Sequence, residues 1–252
     1  MKRVLASLIF IVVAPSLTLG QGQDQGQDRA RDILAKAIDA AGGAKKLSEF
    51  RALHAKYEAT GSLGATDTPC TLEAFFQWPD QLKTELRCDF KGQKFILIQV
   101  INGDKAWRSE NGQTQEAQGH NLTELQEDMY FQRIEALLPL IKDPGYILSA
   151  LDEMKVIDRP AMGIKVSSKG RRDINLYFDK ETALLVKSEH YLTDLSGKEI
   201  YRETLFSDYR DLDGSKQFMK MAIYQDHKKV FDAKVIEIKL LDKIDNSVFS
   251  KP

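Results

Sequence analysis

The sequence predicts a mainly β protein of the α+β class, in which helices cover the concave face of one strongly curved antiparallel sheet, an incomplete β-barrel. Residues 29–47 place apolar side chains at helical spacing, and residues 121–142 return to that spacing. Most of the remaining chain alternates with a period of two and is interrupted by turn residues. So many strands in one sheet would make it curl, and helices would then cover an apolar interior.

The N-terminus has the pattern of a cleavable secretory signal peptide. Met1-Lys2-Arg3 is positively charged, the run from Val4 to Val13 is apolar, and the small residues Thr18 and Gly20 follow it. The alternative is an uncleaved anchor, but the apolar run is shorter than the ~20 residues that span a bilayer. We therefore expect a signal peptide over residues 1–20 and a periplasmic mature protein that has no transmembrane segment.

The folded domain is expected to begin after a polar spacer. Residues 21–28 are of low complexity and have no apolar face, which predicts a disordered linker. A single domain then spans residues 29–252. Its first helix should end at Gly42-Gly43, because glycine readily adopts the left-handed conformation at helix C-termini. A short second helical turn is expected from Ala44 to Phe50.

The two cysteines, Cys70 and Cys88, are predicted to form a disulfide. An exported protein meets an oxidising compartment, where a pair of cysteines is usually bridged. The segments on either side of Trp78-Pro79-Asp80-Gln81 have the pattern of two strands, and the cysteines are symmetric about Pro79. In an antiparallel hairpin they would therefore face each other. The alternative is a redox-active pair, which usually shows Cys-x-x-Cys beside a helix.

The later strands are separated by recognisable turns. Leu82 to Phe90 alternates apolar and charged residues, as expected of a half-buried strand. Phe95 to Ile101 is apolar on both faces and ends at Asn102-Gly103, a strong hairpin signal. A short helical turn is expected from Gly145 to Leu151. Further strands are predicted at residues 154–159, 162–168, 172–178, 184–193, 199–210, 217–227 and 230–241.

Apolar residues are the candidates for ligand binding. A curved open sheet has too much concave apolar surface to leave bare, so a covered cavity is expected. Ordinary core packing is the alternative for each single residue. The candidates are Phe76, Trp78, Leu86, Phe90, Trp107, Tyr130, Phe131 and Phe178.

The sequence shows no motif for catalysis, for a cofactor or for a metal. The four histidines are scattered rather than spaced for a local metal site. Neither a Gly-x-Ser-x-Gly elbow nor a phosphate-binding glycine loop is present. Glu124, Glu127 and Asp128 cluster on the central helix, where an acidic face is usually solvated. The formal net charge of −1, with both signs interleaved, argues against a nucleic-acid partner.

Several segments carry a resemblance to a known family. They are Ile38–Leu47, Trp78–Lys83, Val100–Trp107, Leu176–Lys187 and Phe206–Arg210 with Gly214. This set resembles the LolA-like superfamily of bacterial outer-membrane lipoprotein carriers and their exported relatives. The resemblance implies a half-barrel with helices over its mouth and, in the well-studied members, a cavity that holds lipid acyl chains. Carriers place an arginine in that cavity. Arg87 does not match it, because it lies at a charged, outward position of its strand.

The predicted function is a periplasmic, non-enzymatic binding protein that holds a lipid or lipoprotein acyl chain, as a carrier or a sensor. The alternative is an envelope scaffold with a filled core, which would contact another envelope protein through a sheet edge or the helical insertion. A hydrolase is disfavoured, because no catalytic constellation is visible. A cavity under the helices would favour the first hypothesis, and a packed interior the second.

Overall fold

A computed structural model describes residues 21–63, 66–137, 139–141, 143, 145–194 and 196–252. The predicted signal peptide, residues 1–20, lies outside these ranges. The helices are α1 (Gln21–Ala40), α2 (Gly43–Glu49) and α3 (Gly119–Glu135). Short 3-10 turns follow at Pro139–Ile141 and Asn246–Phe249.

Thirteen strands complete the described part of the chain. They are β1 (Ala52–Leu63), β2 (Thr66–Gln77), β3 (Gln81–Phe90), β4 (Gln93–Asn102), β5 (Lys105–Glu110), β6 (Gln113–Glu116), β7 (Tyr146–Val156), β8 (Arg159–Ser168), β9 (Ile174–Asp179), β10 (Leu185–Thr193), β11 (Glu199–Leu212), β12 (Ser215–Gln225) and β13 (Lys228–Leu241).

The strands form one antiparallel sheet in the order β6-β5-β4-β3-β2-β1-β13-β12-β11-β10-β9-β8-β7. The first strand pairs with the last, so β1 and β13 lie at the centre of the sheet. The two edges are β6 and β7, which are consecutive in sequence. The segment that joins them contains α3, so this helix must pass from one edge of the sheet towards the other. The predicted fold class, a curved antiparallel sheet with helical covers, is confirmed.

Three local predictions differ from the structure. Helix α1 begins at Gln21, so residues 21–28 form its first turns rather than a disordered linker. Adding residues to an existing helix costs little, because nucleation has already been achieved further along. The predicted helical turn at 145–151 is wrong, because residues 146–151 lie in β7, where Tyr146 pairs with Ser168 of β8. A short apolar run does not distinguish helix from strand, and here pairing with a neighbour decides. The predicted strand at 154–159 is instead the end of β7, a turn at 157–158 and the first residue of β8.

The main core lies between the helices and the second half of the sheet. Helix α1 packs on β7 and β8 and buries Ile33, Leu34 and Ala37. Phe131 and Ile134 of α3 enter the same core. Apolar positions spaced three and four residues apart thus place one face of each helix on the sheet.

The turn between α1 and α2 is fixed against the turn between β11 and β12. Gly42 has a φ of 125°, and a Cβ there would collide with the carbonyl oxygen of Gly214. The backbone N–H of Lys216 donates to the carbonyl oxygen of Ala41 at 2.9 Å. Glycine is therefore required at position 42 both by its backbone conformation and by the close approach of another chain segment.

Cys70 and Cys88 lie directly opposite each other on β2 and β3 and are joined by a disulfide. Their Cα atoms are 4.1 Å apart. Both side chains are buried, so the bridge is shielded within the protein. The prediction of a cross-hairpin bridge is confirmed.

We predict that replacing both Cys70 and Cys88 with alanine lowers the free energy of unfolding by about 3 kcal/mol, because the bridge restricts the unfolded chain. Urea denaturation measures this loss. Reductant should destabilise the wild-type protein by a similar amount and leave the double variant unchanged. A wild-type protein whose stability does not respond to reductant would contradict the prediction.

Candidate functional site

A cavity of about 330 Å³ lies between the concave face of the sheet and the helices. Its walls come mainly from the central strands, where inward-facing residues alternate with outward-facing ones. Cross-strand pairs such as Leu53 with Phe76 and Tyr57 with Leu72 supply the wall on β1 and β2. The lining from β11, β12 and β13 includes Phe206, Met221, Ile223, Phe231, Ile238 and Leu240. The interior of the sheet is therefore neither fully packed nor polar.

The helices form the cover of this cavity. Phe131, Gln132 and Glu135 of α3 face it, and Ala37 of α1 and Leu47 of α2 contribute to its lining. These covering residues come from elements that the sequence predicts to be helical. Only the three-dimensional arrangement brings all three helices to one cavity.

Ion pairs hold α3 over the sheet. Glu124 accepts two hydrogen bonds from the Arg172 guanidinium, both 2.7 Å, and one from the backbone N–H of Thr193 at 2.8 Å. The hydrogen bonds from Arg172 keep the pKa of Glu124 below its ordinary value of 4.5. Bidentate pairs between arginine and a carboxylate are among the stronger polar contacts in proteins.

Two further acids on α3 are also paired. Glu127 is 5% exposed and accepts from Arg171 Nη1 at 2.6 Å. Asp128 accepts from Arg202 Nη1 at 2.7 Å. The expectation that this acidic helical face is solvated is therefore wrong. Sequence alone could not reveal the arginines, since they come from the β8–β9 turn and from β11.

A polar patch interrupts the apolar lining beneath α3. The Ser188 hydroxyl donates to Glu135 Oε1 at 2.6 Å, and His190 lies opposite Arg202 on the paired strands β10 and β11. The Glu135 side chain is half-buried, and desolvation by the surrounding protein raises the pKa of its carboxyl to about 7. Burial, followed by the positive charges of Arg202 and Arg172, lowers the pKa of His190 to about 3. His190 is therefore neutral at physiological pH.

Three nitrogens in this patch have no hydrogen-bond partner within the described ranges. They are both ring nitrogens of His190 and Nε of Arg202, and all three are buried. The His190 ring stacks on Phe131 with ring centroids 3.8 Å apart. Buried polar groups without partners are uncommon and costly, which makes this patch the most unusual chemistry in the cavity.

The predicted ligand-binding residues divide between the cavity and the surrounding structure. Phe76, Trp78 and Phe131 line the cavity. Leu86 shares a face of β3 with the lining residue Thr84, but it is not itself part of the lining. Phe90 packs edge-on against Phe95, beside the turn that joins β3 to β4.

The remaining candidates pack elsewhere. Trp107 contacts the small core that includes Val100 and Phe249, where the C-terminal segment covers the convex face. Phe178 is fully buried in the main core. Tyr130 is buried in that core, with the Arg171 guanidinium 5.4 Å from its ring centroid. These three residues therefore pack in the cores and do not line the cavity.

Sequence reasoning did not identify Glu135, His190 or Arg202. The available signal is Arg202, which shares its alternating face of β11 with Thr204 and Phe206, an unusual setting for an arginine. Arg87, the arginine that sequence reasoning did weigh, has a side chain that is 56% exposed and pairs with Glu85. Its outward position agrees with the expectation.

Within the described ranges, none of the helices combines the length and the apolar character needed to cross a bilayer. In that same part of the chain, no three His, Cys, Asp or Glu side chains gather as they would around a metal ion.

Comparison with known proteins identifies the fold. Over 88% of this chain and 97% of the other, the structure superimposes on a LolA superfamily protein from Nitrosomonas europaea, with a TM-score of 0.54 and 11% sequence identity. The chain has a LolA-like fold.

Two further LolA-like structures match over similar lengths. A DUF1329 family protein from Desulfovibrio piger gives a TM-score of 0.56 at 11% identity, over 88% of this chain and 97% of that one. A domain assigned to outer membrane lipoprotein-sorting proteins from Vibrio parahaemolyticus gives 0.51 at 11% identity, over 90% and 97%. Neither a family sequence model nor a curated protein sequence matches the chain. These similarities concern the LolA-like fold alone.

We predict that Glu124→Gln lowers the free energy of unfolding by about 2 kcal/mol at neutral pH, because it removes the charge-assisted hydrogen bonds that join α3 to Arg172. The folded pKa of Glu124 lies below 4.5. The stabilisation is therefore complete above pH 4.5 and is lost as the pH falls through the folded value. Urea denaturation between pH 3 and pH 7 measures the difference, with the exposed Asp152→Asn as the control. A difference that does not shrink in acid would contradict this prediction.

The opposite pH dependence is expected of Glu135→Gln. The pKa of Glu135 rises from 4.5 to about 7 on folding, so the folded protein binds a proton that the unfolded chain has released. The wild-type protein should therefore lose stability relative to the variant as the pH rises from 4.5 to about 7. Parallel stability curves for the two proteins would show that folding does not raise the pKa of Glu135.

Proposed function

We propose that this protein is a periplasmic, non-enzymatic binding protein that holds a lipid or lipoprotein acyl chain in the cavity, as a carrier or a sensor. The observation that carries the proposal is the apolar cavity of about 330 Å³ under the helices. A cavity with apolar walls and a few polar groups is the usual form of a small-molecule site. Burial of alkyl surface there would contribute roughly 0.8 kcal/mol for each CH₂ group.

Two other features support this proposal. The superimposed Vibrio parahaemolyticus domain is assigned to outer membrane lipoprotein-sorting proteins. The expected signal peptide would deliver this chain to the compartment between the membranes. A carrier there needs a covered apolar site, because water surrounds its cargo in transit.

An envelope scaffold is the second candidate. Its case rested on a filled core, and the space between α3 and the central strands weighs against it. The cavity therefore favours the ligand-binding hypothesis over the scaffold hypothesis.

We predict that Ala74→Phe lowers affinity for an acyl ligand at least tenfold. Ala74 is 2% exposed and lines the cavity, so a phenyl ring there would occupy the space of the ligand. Titration with a fluorescent fatty-acid analogue measures the affinity. Native mass spectrometry of protein purified from the periplasm shows whether a lipid is retained.

Thr71→Phe is the matched control, since Thr71 lies on the same strand but is exposed on the outward face. It should bind like the wild-type protein. Circular dichroism and melting temperature establish that both variants fold. Equal binding by the two variants would exclude the cavity as the site. Wild-type protein that carries no lipid and takes up no probe, but cross-links in cells to a single envelope protein, would favour the scaffold.

A further inference from the structure

One end of the cavity lining is polar in a way that alkyl chains do not require. Glu135, Ser188, His190, Arg202 and Thr204 lie together on α3, β10 and β11 and, apart from Ser188, all line the cavity. An apolar tail would gain nothing from these groups. Their presence indicates that the occupant also has a polar end.

His190 has the most unsatisfied hydrogen-bonding capacity of the groups in this patch. Its side chain is 5% exposed, it lines the cavity, and neither ring nitrogen has a hydrogen-bond partner within the described residues. One nitrogen of a neutral imidazole is a donor and the other is an acceptor. Leaving such a donor buried and unpaired is costly, and a ligand oxygen that reaches it from the cavity would relieve that cost. Neither nitrogen is exposed in the cavity itself, so the imidazole ring has to turn on Phe131 to make this contact.

Arg202 supplies a second donor beside it. One end of its guanidinium is held by Asp128 at 2.7 Å, while its buried Nε–H is unpaired in the described structure. Arg202 and His190 are a directly opposed pair on neighbouring strands, so their side chains lie on the same face of the sheet, and both residues line the cavity. Two N–H donors, one of them on a cation, suit the two oxygens of a carboxylate.

The volume of the cavity limits the tail. About 330 Å³ is at the small end of the ~300–1,000 Å³ range of ligand pockets. This space suits one alkyl chain better than the several chains of a diacyl or triacyl lipid.

We propose that the cavity binds a single-chain fatty acid, with its carboxylate accepting hydrogen bonds from His190 and Arg202 and its alkyl chain along the central strands. This inference rests on the proposed function and narrows it to one ligand class. Ser188 donates to Glu135, and the pKa of Glu135 is raised to about 7. Below that pH the acid is mostly uncharged, so it does not repel the ligand carboxylate.

The test compares palmitate with cetyl alcohol, which has the same chain but no carboxylate. Affinities are measured by displacement of a fluorescent fatty-acid analogue from the wild-type protein, His190→Phe and Arg202→Lys. Phenylalanine keeps the ring of His190 without its nitrogens. Lysine keeps the charge that pairs with Asp128 but lacks the Nε–H. The wild-type protein should prefer palmitate about tenfold or more, and each variant should lose most of that preference.

The outcomes separate this inference from the proposed function. Equal affinities for palmitate and cetyl alcohol in all three proteins would overturn the carboxylate site and leave the acyl cavity standing. Binding of phosphatidylglycerol but not palmitate would overturn the single-chain ligand and leave a lipid-binding function standing. Failure of the wild-type protein to bind any of the three would overturn the proposed function as well. Retained binding of cetyl alcohol, with an unchanged melting temperature, shows that a variant is folded.

Discussion

The connection between the two edges of the sheet is the constraint on which the rest of the structure depends. Strands β6 and β7 are consecutive in sequence but lie at opposite ends of a 13-stranded order. The segment that contains α3 therefore has to run from one edge of the sheet to the other, and α3 lies over the concave face. Its acids fix where it lies: Glu124 on Arg172, Glu127 on Arg171 and Asp128 on Arg202. The cavity is the space that remains beneath a helix held in this way.

The ion pairs and the apolar walls make different contributions. Apolar burial is not directional, so it favours covering the concave face without specifying which helix residues point into it. Paired charges require particular geometries, and a carboxylate left unpaired in a buried position would be strongly destabilising. The pairs therefore define the rotation of α3, which directs Phe131 and Glu135 towards the cavity. The Asp128–Arg202 pair, which helps to position α3, also holds Arg202 at the edge of the polar patch. The position of the helix and that of the polar patch therefore depend on the same contact.

The sequence was informative where a local rule determined the outcome. The alternation of Leu82 to Phe90 and the symmetry of Cys70 and Cys88 about the turn predicted a hairpin and its bridge, both of which the structure contains. It was less informative for the site. Phe76, Trp78 and Phe131 line the cavity, but Phe178 and Trp107 fill cores on either side of the sheet. Aromatic residues serve packing and ligand binding equally well, so their identity alone does not show which role a position has.

The sequence by itself determined the curved antiparallel sheet, the helices at both ends of its first half and the disulfide, because each depends on periodicity or on residues close together along the chain. The tertiary structure decided that β1 pairs with β13, that the acids of α3 meet arginines, and that Glu135, His190 and Arg202 share one wall. Those contacts join residues tens of positions apart. Their energies depend on burial and on the partner that the fold supplies, and neither is written in the local pattern of side chains.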